Sequence, residues 1–149
     1  MKPTYQTRLT PPDGNCLAAC LASIFEVPLS TVEFDVQADD WQEQMDDMLR
    51  REFCCGTVEF EAKDIKADLR GPRGWHLIEG KSPRGEHWHA IVGKDGKPHF
   101  DPSPIGDPQH PLDTMEIYRL FVLATRQENL WDLATVYRVR QKENTFRIL

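Results

Sequence analysis

A cysteine at a helix start, a histidine on a strand and an aspartate on the next strand are the parts of an acyl-transfer site, and this chain carries them in that order. Cys16 follows Asp13-Gly14-Asn15 and opens a stretch whose Leu17, Leu21, Ile24 and Phe25 recur at helical spacing. A helix N-terminus carries partial positive charge and N–H groups without intrahelical acceptors. Both favour the thiolate, the nucleophilic form of cysteine. The same N–H groups can hold the oxyanion of a tetrahedral intermediate.

His89 and Asp101 lie on either side of Lys94-Asp95-Gly96. With a three-residue loop, a type I turn followed by a left-handed glycine, Gly93 pairs with Lys97 and His89 falls directly opposite Asp101, their Cβ atoms about 5 Å apart. The carboxylate then accepts one ring N–H and fixes the tautomer of the imidazole. A two-residue loop at Asp95-Gly96 would shift the register by one and send the two side chains to opposite faces. The triad reading therefore commits to the three-residue loop.

The same register sets His99 opposite Ile91, so that His87, His89, His99 and Asp101 share one sheet face. Three imidazoles and a carboxylate are also a divalent-metal set, and in that reading the chain is a small metal-binding domain with Cys16 uninvolved. The Gly-Asn-Cys helix start favours the thiol site, which needs no cofactor and no metal. His87 faces Ser103 rather than an acid, which leaves His89 as the base. His76 and His110 read as surface or structural, Trp88 as core on the opposite face, Cys20 as a buried helix residue, and Cys54-Cys55 as packing at a helix end.

These side chains need a framework. The first helix runs from Asn15 to Phe25, capped by Asn15 or Asp13 and ended by Val27-Pro28. Ser30 and Glu33 form a capping-box pattern over a short turn. A second helix covers Asp39 to Phe53, with Trp41, Met45, Met48, Leu49 and Phe53 as its buried stripe and Gly56 as its stop. Strands follow at Thr57–Glu61, Gly74–Glu79, Glu86–Gly93, Lys97–Asp101 and Glu116–Ala124. Pro102–Pro111 is an irregular loop, and Asn129–Tyr137 is helical. Helices first and an antiparallel sheet afterwards give an α+β class.

The 149 residues form one domain, 1–149, with a composition close to the globular average: 40% hydrophobic and 28% charged. The net charge of −6 argues against phosphate-backbone binding, so no nucleic acid is expected. No apolar run approaches the roughly 20 residues needed to span a bilayer, and the N-terminus has no apolar targeting core, so no membrane association and a cytoplasmic location are expected. Four cysteines are too few for a disulfide-stapled scaffold and lack zinc-knuckle spacing.

The segment PPDGNCLAACLASIF, with Gln6 upstream, resembles the nucleophile helix of papain-like cysteine peptidases. Asp13-Gly14-Asn15-Cys16-Leu17 is similar to the nucleophile loop of ovarian-tumour-type deubiquitinases. HWHAIVGKDGKPHFDPSP resembles the His-strand and Asp-Pro region of papain-like peptidases that process bacteriocin leaders. The likeness covers residues 5–28 and 87–104. It implies a papain-like fold, an N-terminal nucleophile helix packed on an antiparallel sheet, with Cys16 as nucleophile, His89 as general base and acid, and Asp101 as orienting residue. It further implies that Gln6 lends a side-chain N–H to the oxyanion hole and that the substrate is a peptide or protein. A papain-like domain that only binds a partner is the remaining alternative.

Overall fold

The computed structural model describes residues 1–10, 12–63 and 73–123, and the expected Asn129–Tyr137 helix lies outside them. The architecture is α+β. Helices α1 (Cys16–Phe25) and α2 (Trp41–Phe53) precede strands β1 (Cys55–Glu61), β2 (Trp75–Lys81), β3 (Trp88–Lys94), β4 (Lys97–Phe100) and β5 (Ile117–Leu123). The strands form one sheet in the order β1-β5-β2-β3-β4, with every neighbouring pair antiparallel. No helix among the described residues is long and apolar enough to cross a membrane.

The expected apolar stripes form the main core. Leu17, Cys20 and Leu21 from α1 and Met45, Met48 and Leu49 from α2 cluster with Leu77, Ala90, Val92 and Phe121 from the sheet. Burying each large apolar side chain contributes about 1.5–3 kcal/mol. A second cluster, Ile78, Ile91, Leu112 and Tyr118, includes residues of β2, β3 and β5. The Cys20 thiol donates to the Ala90 carbonyl oxygen at 3.3 Å, which ties α1 to β3 one turn beyond Cys16.

Several local expectations are corrected. Asn15 precedes α1 but makes no side-chain capping bond. Ser30 lies within a single 3-10 turn, Leu29–Thr31, that has no side-chain cap either. Helix α2 stops at Cys54, which takes the left-handed conformation (φ 52°) while its N–H bonds Arg50 and Leu49. Gly56 is instead inside β1, paired with Val122. Cys54 supplies the reversal, which leaves Cys55 buried in the core and Cys54 exposed rather than packed.

The β3–β4 hairpin differs most. Asp95 and Gly96 both have positive φ (51° and 80°), the signature of a two-residue type I′ turn. Lys94 therefore pairs with Lys97 and Gly93 with Pro98. The Asp95 carboxylate stabilises the tip by accepting the Gly74 N–H at 2.9 Å. A β-bulge follows, leaving His99 between the Gly93–Pro98 and Val92–Phe100 pairs. The bulge adds the one-residue shift that the expected longer loop would have supplied. Residues 89 and 101 thus return to the same face by a different device, displaced to a diagonal rather than directly opposed.

Candidate active site

The N-terminal arm places the first half of the site. The Gln6 N–H donates to the Pro102 carbonyl at 2.9 Å, joining the arm to the segment just after Asp101. The Asn15 side-chain oxygen accepts the N–H groups of Thr7 and Arg8 (3.1 and 3.0 Å), and its amide donates to Thr7 Oγ1 at 3.1 Å. Asn15 clamps the arm to the start of α1 instead of capping the helix. This role was not legible from spacing, since a capping residue and a clamp look alike in a sequence.

Strand β3 and the turn after β4 place the second half. His89 is 3% exposed and its Nε2 lies 2.7 Å from Asp101 Oδ1. The same carboxylate oxygen accepts the Ser103 N–H at 2.8 Å. Arg84 Nη1 stands 3.5 Å from Asp101 Oδ2, an ion pair on the other side of the carboxylate. Cys16 borders the same cavity as His89, and its side chain and charge favour the protonated ring. Since Nε2 is committed to Asp101, Nδ1 is the ring nitrogen left for the thiol. Cys16, His89 and Asp101 are therefore brought together.

The electrostatics follow from those contacts. Burial works against the charged form of His89, but the hydrogen bond to Asp101, the neighbouring Cys16 side chain and the charges of both outweigh it, raising the ring to about 9. Burial likewise penalises ionised Asp101, yet the bonds from His89 and Ser103 and the charges of His89 and Arg84 hold it below the ordinary carboxylate value. The His89 ring is thereby favoured as an imidazolium, with the Asp101 carboxylate on its Nε2 side and Cys16 as a second neighbour. Cys20 is the contrasting case: burial, followed by the charge of Cys16, pushes its thiol well above the usual range.

Cys16, His87, Trp88, His89 and Gln6 border a cavity of about 410 Å³, whose wall also includes Leu17, Val36, Trp41, Ala90, Glu79 and Arg84. Gln6 is 6% exposed; its amide nitrogen donates to the Arg8 carbonyl at 3.0 Å, which leaves one N–H free, and its oxygen has no partner. Trp88 corrects the expectation of a core residue. It is 52% exposed and lines the cavity mouth.

The metal set does not assemble. Among the described residues no group of three or more His, Cys, Asp or Glu side chains is placed to hold an ion. The bulge turns His99 away into an edge-on contact with Trp75 (ring centroids 4.9 Å apart). His76 is fully buried, bonds the Gly74 carbonyl through Nδ1 at 3.0 Å and stacks on Tyr118, a structural role. His110 is exposed beside Asp107.

One buried charge escaped the sequence reading. Arg119, within the apolar run of β5, is 3% exposed and donates to Glu79 (2.8 Å) and Glu59 (2.9 Å), with its guanidinium over Trp41. Its partners lie 40 and 60 residues earlier in the chain, beyond the reach of any local spacing.

Comparison with protein-family models, with curated proteins and with solved structures finds no match for the chain.

Proposed function

We propose that this protein is a thiol hydrolase with a papain-like arrangement, cleaving or transferring an amide bond of a peptide or protein through an acyl-enzyme. The observation that carries the reading is that His89, bonded through Nε2 to Asp101 at 2.7 Å, borders the same cavity as Cys16, whose side chain raises the ring's affinity for its proton. The Cys16 thiolate adds to the carbonyl carbon, and the electron pair moves to the oxygen. The first N–H groups of α1 and the free N–H of Gln6 are the donors available to that oxyanion. His89 gives its Nδ1 proton to the departing amine as the C–N bond breaks. Water then loses a proton to His89 and attacks the thioester, releasing the acid and restoring the thiolate. Asp101 keeps the ring oriented and stabilises the imidazolium.

Peptide hydrolysis, side-chain deamidation and acyl transfer share these steps. The four free thiols fit a reducing, cytoplasmic setting. The test uses p-nitrophenyl acetate, whose acyl group needs no recognition. Turnover with an acetyl adduct at Cys16, lost in Cys16→Ala, supports the proposal. An adduct only at exposed Cys54, or hydrolysis unchanged in Cys16→Ala, contradicts it.

A further inference from the structure

We propose that Arg84 is a positioning residue for the acid of this site, and that Gly106 is the recess that lets it act. The inference rests on the Cys16–His89–Asp101 reading and assigns the side of Asp101 that this reading leaves unexplained. Asp101 Oδ1 is occupied by His89 and the Ser103 N–H, whereas Oδ2 is buried with no hydrogen-bond partner. Arg84 Nη1 is also buried without such a partner, and the two atoms are each other's ion-pair partners at 3.5 Å.

The loop between β2 and β3 is built to deliver that guanidinium. Ser82 Oγ accepts the Arg84 N–H at 3.2 Å, and the Ser82 N–H donates to the His87 carbonyl at 2.9 Å. The loop is thereby closed on itself directly before the His89 strand. On the opposite side, a Cβ at Gly106 would collide with Asp101 Oδ2 and crowd Arg84 Nη1. Gly106 has no positive φ that would itself demand glycine, so the space for the carboxylate and the guanidinium is what the missing side chain provides. A carboxylate held on both oxygens cannot rotate, and an imidazole hung from it keeps Nδ1 aimed at Cys16. Small displacements of such groups cost large factors in rate.

The experiment compares Arg84→Met, Arg84→Lys and Gly106→Ala with the unaltered protein, each first shown to be folded by its cooperative thermal transition. Three quantities are read: the titration of the Asp101 carboxyl by carbon NMR, the downfield His89 Nε2 proton resonance, and the iodoacetamide alkylation rate of Cys16. In Arg84→Met, Asp101 titrates at higher pH, the Nε2 proton signal weakens and alkylation slows by about tenfold to a hundredfold. Gly106→Ala reproduces the weakened signal and the slowing, and Arg84→Lys recovers part of the Asp101 titration. Unchanged Asp101 titration and an intact Nε2 signal in both Arg84→Met and Gly106→Ala overturn the inference. If Cys16 of the unaltered protein alkylates no faster than free cysteine, the hydrolase reading fails, while the Asp101 titration still decides the role of Arg84.

Discussion

His89 and Asp101 meet through a bulge. The imidazole Nε2 lies 2.7 Å from the carboxylate, across a hairpin whose turn alone would have set the two residues on opposite faces. That contact occupies Nε2 and leaves Nδ1 as the ring nitrogen available to Cys16, and the proposed chemistry depends on it.

Removing members of the series should act unequally. Cys16→Ala and His89→Ala are expected to abolish turnover of p-nitrophenyl acetate, since nothing else supplies the nucleophile or carries the proton. Asp101→Ala is expected to lower it by about 10²–10⁴-fold, because the ring loses its tautomer and its orientation. Asp101→Asn, which still offers an oxygen to Nε2–H, should fall between. Initial rates on folded variants check the order.

Two glycines in the central strands set close packing around the histidines. A Cβ at Gly80, opposite His89, would overlap the backbone carbonyl of Thr114, and one at Gly93 would overlap the ring of buried His76. Gly93→Ala is expected to destabilise the protein by about 1–3 kcal/mol. Gly80→Ala should cost more, since a backbone carbonyl yields less readily than a side chain. Urea denaturation of both variants measures the difference.

Stability should decline on both sides of neutrality, for opposite reasons. His89 is raised from 6.5 to about 9, so its contribution is complete below 6.5 and is lost as pH rises through 9. His76 is lowered because burial disfavours its charged form, so its contribution is complete above 6.5 and is lost as pH falls through its depressed value. Denaturation midpoints across pH 5–10 should therefore show two limbs. His89→Gln should remove the loss between pH 6.5 and 9 and leave both the acid limb and the further loss above 9 that buried Cys20 and Cys55 bring.

The buried Arg119 clamp gives a third stability test. Arg119→Met strands Glu79, a carboxylate whose side chain is only 12% exposed, and should cost about 3–5 kcal/mol. Adding Glu79→Gln should return part of that loss, which thermal denaturation of the single and double variants will show.

Periodicity located α1, α2 and four of the five strands because each buries residues whose apolar spacing is local, whereas the largely exposed β4 was located by the turn before it. Cys16, His89 and Asp101 were legible for the same reason: a helix start and a hairpin are short-range features. The turn was misread because Lys94-Asp95-Gly96 fits either a three-residue loop with a left-handed glycine or a two-residue type I′ turn, and only pairing along the strands decides. The bulge at His99 has no local signature. Trp88 was assigned to the core by strand alternation, which holds only where both faces are covered. Asn15, Arg84 and Arg119 bond residues brought close by the tertiary fold, and no spacing rule reaches them.

The most direct measurement sets Cys16 against Cys54 within one molecule. Cys54 is exposed and Cys16 half-buried, so access alone favours Cys54. A limiting dose of iodoacetamide at pH 6, followed by mass mapping, should mark Cys16 first, because only that sulfur is paired with an imidazolium, and the preference should vanish in His89→Ala. Labelling of Cys54 ahead of Cys16 in the unaltered protein would contradict the account.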